Sequence, residues 1–424
     1  MQGKRTIAII TSLYRPYVRG GAEVVVDTIV SELKKEYRVI VITSHAWHGF
    51  RSLRIKKTDE EGVTVCRFYP LNIFSFSRIE DDKSPFVRFF WHIFDTWNLH
   101  SYFVVRKILA KEKPDIVMTH NLKGIGYTVP AAIRSLRLRY VHTMHDVALV
   151  APSGVVMVGE ESSFRFRCVG SISSMIHKRL FGSPDVVIFP SRFLKSFYER
   201  WGFFPRSHTA VLPNPVPSSV DASDPTYYKL HEERLRLFEE RERVFLYLGL
   251  IKHHKGIFML VEVFKKLSGT ATLFVGGSGI EEQELRTHIQ SDPRITFLGF
   301  VERSSLQNLL STVHFIVVPS LLYENSPMTV YEAFAAGIPA IVSASGGAAE
   351  LVRDGENGFV VEPGNEEALV RALQRAQGLD KKHYERMSNA ARATVSGLTA
   401  PEYCDKLISE VVSWTPSIAM KDQV

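Results

Sequence analysis

The sequence predicts an α/β protein built of two Rossmann-like, doubly wound parallel-sheet domains that face each other across a cleft. Three observations lead there. Short runs rich in β-branched residues alternate with stretches of helical spacing along most of the 424 residues, and such continuous apolar runs suit strands buried on both faces of a sheet. The alternation comes as two series, separated by a proline-rich break at Val211 to Pro217. Glycines gather just after several of the strand runs, where open α/β sheets bind their ligands.

Thr6 to Thr11 reads as the first buried strand. Gly20-Gly21 leads into a helix on which Val25, Ile29, Val30 and Leu33 share a face, and Arg38 to Thr43 returns as a strand, completing a βαβ unit. The pattern continues through a strand at Pro114 to Thr119, a helix near Val129 to Leu136, and strands at Arg139 to Met144 and Asp185 to Phe189. Pro213, Pro215 and Pro217 then interrupt it. The first domain is therefore expected over 1–213, followed by a charged connecting helix reaching Arg243. In the second domain, expected over 214–399, the strand runs are Val244 to Leu248, Thr272 to Val275, Ile295 to Leu298, Phe315 to Val318 and Ala340 to Val342. A last helix, about 400–416, spaces Tyr403, Leu407, Val411 and Trp414 along one face and is expected to pack back on the first domain.

Composition narrows the class. Hydrophobic residues at 45% and charged residues at 23% exclude a disordered or low-complexity chain. The net charge of +7 is unevenly placed: 1–213 holds 31 basic against 18 acidic residues, whereas 214–424 holds 21 against 27. A basic first half calls for an anionic partner. The three cysteines, Cys66, Cys168 and Cys404, are too far apart in sequence to suggest a metal pair or disulfide framework, which fits a cytoplasmic protein. No window of about 20 apolar residues occurs, so membrane contact is expected to be peripheral.

Three motifs carry chemistry. In the strongest, the strand Phe315 to Val318 ends, a loop supplies Glu324, and a helix begins with Ser326 expected as N-cap and Pro327 at its first position. The amides of Met328 and Thr329 then lie at the positive end of a helix dipole, an anion site, and Glu332 follows four residues after Met328 on the same face. Two carboxylates beside an anion site make sense when they accept hydrogen bonds from hydroxyls, and a sugar nucleotide supplies both kinds of group. The second motif, Leu248 to Gly256, puts Lys252 and Lys255 after a strand, where they suit phosphate oxygens. The third is His142-Thr-Met-His145-Asp146 at a strand end; alternation sends only one of the two histidines toward a ligand.

These motifs, with Gly20-Gly21, His120-Asn121, Pro190-Ser191, Pro213-Asn214 and Gly276-Gly277-Ser278-Gly279, resemble the family 4 retaining glycosyltransferases of GT-B fold, over roughly Ile7 to Leu373. The most specific element is Glu324-x7-Glu332 with its Glu-Ala-Phe-Ala-Ala-Gly-Ile-Pro continuation. The resemblance implies that Glu332 holds the donor's ribose hydroxyls and Glu324 those of the transferred sugar. It gives the diphosphate to Lys255 and the Met328 and Thr329 amides, with Gly20 and Gly21 allowing close backbone approach, and it sets the base near Gly277 and Phe300-Val301. It places His145 near the reacting carbon, so that His145, Glu324 and Lys255 are the catalytic set. Leu250 stands where the family commonly has arginine, with Lys252 a substitute, and Pro327 stands where glycine is frequent.

The implied reaction moves a sugar from a nucleoside-diphosphate sugar to a hydroxyl with retention. The acceptor would be a lipid-linked or cell-surface glycan precursor. The sequence contains no Asp-x-Asp pair to hold a divalent ion under a diphosphate, so neither metal nor other cofactor is expected. A phosphorylase-like or epimerase relative on the same architecture is the nearest alternative. A dinucleotide oxidoreductase would need G-x-G-x-x-G directly after the first strand, and a nucleic-acid-binding protein a recognisable motif; neither is present. Residues 85–109 interleave eight aromatic side chains with Arg88, Arg106 and Lys107, as an interfacial helix does. Phe89 to Trp91, being consecutive, cannot share one face, so part of this region is expected to be exposed. With the basic first half, it would dock at an anionic bilayer, the inner face of the cytoplasmic membrane.

Overall fold

The computed structural model describes residues 4–17, 20–76, 84–217, 231–232, 234–235, 238 and 243–413. They fall into two compact units, Met1–Val155 with Ser162–Pro213 and Ala400–Val424, and Val156–Glu161 with Asn214–Thr399. The segment 156–161 leaves the expected 1–213 domain because its backbone is claimed by the second unit. Val158 N donates to Leu321 O at 3.0 Å, Tyr323 N to Val156 O at 3.1 Å, and Met157 bridges Leu322. The charged helix expected before Arg243 falls largely outside the described residues, as does Trp414.

The first unit is an eight-stranded sheet, ordered β3-β4-β2-β1-β5-β6-β7-β8. Its strands are β1 (Thr6–Thr11), β2 (Arg38–Ser44), β3 (Lys56–Glu60), β4 (Val63–Phe68), β5 (Ile116–Thr119), β6 (Arg139–Thr143), β7 (Val186–Phe189) and β8 (His208–Val211). All ladders are parallel except that of β3 on β4. Every residue of β1 is buried, and burying an isoleucine or valine side chain fully contributes about 1.5–3 kcal/mol. The β3–β4 hairpin was not expected: β3 is a charged edge strand outside the apolar pattern, while β4 is a buried run that follows it. Its turn places Glu61 and Gly62 at φ 53° and 82°, the left-handed pair that a two-residue hairpin needs.

Residues 85–109 form two helices rather than one, Pro85–Thr96 and Leu99–Glu112. The break is local chemistry: the Asn98 side chain accepts from Ser101 N at 2.9 Å and caps the second helix. Trp91 is buried, but Phe86, Phe89 and Phe103 are 70%, 60% and 64% exposed, and Phe94 and Trp97 are exposed as well. The terminal helix Ala400–Ser413 buries Tyr403, Leu407 and Val411 and packs on helix Gly21–Leu33. His208 Nε2 lies 2.7 Å from Glu410, and the Arg139 guanidinium donates to Val411 O. No helix among the described residues is long and apolar enough to cross a membrane.

The second unit is a six-stranded parallel sheet ordered β11-β10-β9-β12-β13-β14. Its strands are β9 (Arg243–Leu248), β10 (Ala271–Gly276), β11 (Ile295–Gly299), β12 (Phe315–Val318), β13 (Ala340–Ser343) and β14 (Gly358–Val361). In such sheets the ligand crevice opens where strand order reverses. That point is β1/β5 in the first unit and β9/β12 in the second.

Candidate active site

In the second unit the loops leaving β9 and β12 bring Lys255 and Glu324 together, Nζ to Oε1 at 2.7 Å. Backbone packing fixes both. Lys255 ends a short 3₁₀ turn, His253–Lys255, which Gly256 closes at φ +75°. A Cβ at Gly256 would run into Pro319 O, while Leu321 N donates to His254 O at 3.0 Å. On the far side Glu324 O accepts from Gly347 N at 2.6 Å, and Gly346, at φ +63°, lets the two backbones touch. Burial pushes the Glu324 carboxyl up, but the Lys255 charge and hydrogen bonds from Lys255 and Ser320 more than offset it, so the group lies below its ordinary value. It is an ionised acceptor in a mostly dry site.

Helix Met328–Ala335 starts one residue later than expected. Pro327 is its N-cap, at φ −70° and ψ 112°, and the Ser326 hydroxyl caps nothing because it is 2.8 Å from Tyr331 OH. The first helical positions are thus Met328, buried, and Thr329, half-buried. As the first residues of the helix, their amides have no carbonyl in a preceding turn. Glu332, on the next turn and 6% exposed, meets Arg303 Nη2 at 3.0 Å.

Gly277 sits where two loops interlock. A Cβ there would collide with Gly249 O, and Gly249 N, Ile251 N and Gly277 N donate to Gly276 O, Ser278 O and Gly299 O at 3.1, 3.0 and 2.7 Å. Gly276 in turn leaves room for the Val301 side chain. The pairing of 249 and 251 with 276–278 continues strand alternation past β9. Ile251 is buried while Leu250 and Lys252 are half-buried, which puts Lys252 on the face Leu250 occupies. His253 and His254 diverge: the first stacks on Phe258, ring centroids 4.0 Å apart, and the second is half-buried next to Lys255. Among the described residues no group of three or more His, Cys, Asp or Glu is arranged to hold a metal ion.

The first unit holds the remaining expected residues at its own switch point. Gly20 N donates to Glu23 Oε2 at 2.8 Å and Gly21 opens the helix Gly21–Leu33; residues 18 and 19 between β1 and this turn lie outside the description. On β6, His142 points into the core onto Thr119 Oγ1 at 2.7 Å, and just beyond the strand His145 stacks on His120 with Nε2 to Nδ1 at 3.0 Å. Burial lowers His145 to about 4, so it is neutral at physiological pH. The Asp146 carboxylate caps the following turn, accepting from Ala148 N at 2.8 Å.

Two partners were not assigned from sequence. His120 follows β5, whose register pairs Thr119 with His142, so a strand-register argument places it beside the His145 strand end. Arg303, the partner of Glu332, gives no such signal, since nothing in spacing links the two.

The fold and these loops together define a two-domain GT-B enzyme, a glycosyltransferase. Sucrose-phosphate synthase from Thermosynechococcus elongatus matches with a TM-score of 0.74 at 20% identity, over 97% of this chain and 100% of its own. Anabaena HepE in complex with UDP-glucose matches at 0.68 and 18% identity, over 96% of this chain and 99% of its own. The UDP-Gal:alpha-D-GlcNAc-diphosphoundecaprenol alpha-1,3-galactosyltransferase of Escherichia coli is 26% identical over 331 residues, 73% of this chain and 78% of its own. The family model "Glycosyltransferase Family 4" matches residues 19–220 and "Glycosyl transferases group 1" matches 231–394. The chain belongs to this family of group 1, family 4 glycosyltransferases.

Proposed function

We propose that the protein transfers a sugar, with retention and without a metal, from a nucleoside-diphosphate sugar to a hydroxyl of a lipid-linked or cell-surface glycan precursor. The observation that carries the reading is the 2.7 Å pair of Lys255 and an ionised Glu324 beside the open amides of Met328 and Thr329. In this reading the bond from the anomeric carbon to the diphosphate breaks with its electron pair leaving on the phosphate oxygen. Lys255, Lys252 and the two amides stabilise that oxygen, replacing the counter-charge a divalent ion would give; one such preorganised donor contributes on the order of 3–4 kcal/mol. The acceptor oxygen bonds to the same face of the carbon, and its proton passes to the departing phosphate. Glu324 fixes the sugar hydroxyls and Glu332 the ribose, with the base near Gly277 and Val301. In the first unit, the neutral His145 is a hydrogen-bonding partner for the donor sugar, and the backbone at Gly20-Gly21 admits the diphosphate.

The E. coli relative's name specifies a diphosphoundecaprenol acceptor, which supports a lipid-linked one here. A cytoplasmic protein held at the inner membrane face fits that acceptor. The exposed aromatics of 85–103, with Arg88 and the basic first half, would be its peripheral contact with anionic lipid.

Thermal stabilisation across UDP- and GDP-sugars tests the donor assignment. Saturation at 100 times the dissociation constant adds about 2.7 kcal/mol, and a panel with no stabilising member contradicts the proposal.

A further inference from the structure

A carboxylate that accepts two ribose hydroxyls has to be ionised, because protonation turns one of its acceptor oxygens into a donor. Glu332 is badly placed for this. It is 6% exposed, and burial pushes its carboxyl above the ordinary value. Arg303 offsets part of that push, and the carboxyl stays above its ordinary value with the arginine in place. The arginine is the first residue of helix Arg303–Ser311, and its Nη2 donates to Glu332 Oε1 at 3.0 Å while the side chain remains 41% exposed. The bond uses one oxygen and leaves Oε2 with its acceptor capacity.

Among the described residues Arg303 is the one charged group that acts on that carboxylate, although the charged helix Lys381–Val395 also packs on helix Met328–Ala335. β12 and β13 contain no titratable residue. Arg234 donates to the carbonyls of Ala336 and Gly337, and Arg392 packs at Gly337, both at the opposite end of the helix.

We infer that Arg303 is a positioning residue for nucleotide binding: it holds Glu332 ionised and in one rotamer, so that the carboxylate accepts the hydroxyls of the donor's ribose. The inference rests on the assignment of Glu332 to the ribose made above. It goes further in naming a residue outside the family motif as the one on which that contact depends.

The test is the dissociation constant of UDP and of GDP, measured calorimetrically from pH 5.5 to 8.5 for the wild type, Arg303→Met, Arg303→Gln and Arg303→Lys. The ratio of variant to wild type cancels the nucleotide's own phosphate ionisation. A carboxyl whose pKa lies about one unit above the working pH is only about a tenth ionised, whereas one well below it is fully so. The Met and Gln variants should therefore bind about tenfold or more weakly at pH 6, approach the wild type within about threefold at pH 8.5, and be restored by Lys. A ratio of one at every pH overturns the inference. So does a constant ratio, which would mean a direct nucleotide contact or a merely structural role. Glu332→Gln separates this from the underlying reading: if that variant binds UDP and GDP as the wild type does, or if neither nucleotide binds the wild type, the ribose assignment falls and the inference with it.

Discussion

Replacing Lys255 by alanine removes the cation 2.7 Å from Glu324 and should be felt in stability and in catalysis with different pH signatures. The side chains retain 24% and 15% exposure, so the stranded carboxylate costs toward the lower part of the roughly 1–3 kcal/mol expected for an unsatisfied buried group. At about 2–4 °C per kcal/mol for a domain of this size, the melting shift is readily measured. Its sign against pH follows from the carboxyl. In the wild type Glu324 is held below its ordinary value, so its contribution is present above about pH 4.3, the unfolded value, and is lost as pH falls through the folded one. Without Lys255 the burial contribution is left largely unopposed and the carboxyl rises. The gap between the two proteins should therefore be widest near neutrality and close toward pH 4. Turnover of the donor should fall by about 10²–10³, the effect of deleting one preorganised donor to a leaving oxyanion. A variant that keeps more than a tenth of wild-type kcat, or a melting gap of the same size at pH 4 as at pH 7, would refute the reasoning.

Gly277→Ala should lower stability in urea by at least about 2 kcal/mol, because its Cβ meets Gly249 O where two loop backbones touch; a loss under about 0.5 kcal/mol would show that the loops are not interlocked. His92, His145 and His177 are lowered to about 4 and His142 to about 3, all by burial. The unfolded chain thus binds more protons between about pH 4 and 6.5, so the first unit should gain stability as pH rises through that window and hold it above; an equal or higher melting temperature at pH 5 than at pH 7 contradicts this. Serine at Phe86, Phe89 and Phe94 together should abolish co-sedimentation with anionic vesicles, and wild-type sedimentation that ignores both salt and anionic lipid would remove the docking surface.

Most strands buried on both faces could be read from the sequence. β1, β2 and β9 stand within a residue or so of the apolar runs that foretold them. The misses have more than one cause. β3 and β8 are edge strands with exposed, polar or mixed sequences, so periodicity does not mark them, whereas β4 and β14 are largely buried runs that the sequence reading passed over. The break at Trp97-Asn98 depends on one cap that aromatic composition hides. In the site, Glu324, Lys255 and the start of helix Met328–Ala335 were legible because strand ends and helix starts leave local signatures. Ser326 has the ordinary N-cap residue type, yet its hydroxyl goes to Tyr331, a tertiary choice no local rule contains. Arg303 on Glu332 was invisible for the same reason: the pair is made by two helices meeting, 29 residues apart in sequence.

The most direct test of the account is ¹H NMR of the transfer reaction, run with an α-linked nucleoside-diphosphate sugar that stabilises the protein, a diphosphoundecaprenol-type acceptor and a chelator present throughout. The account predicts undiminished turnover and an α-linked product, both lost in Lys255→Ala. A β-linked product, or turnover that returns only when Mg²⁺ or Mn²⁺ is added, would contradict it.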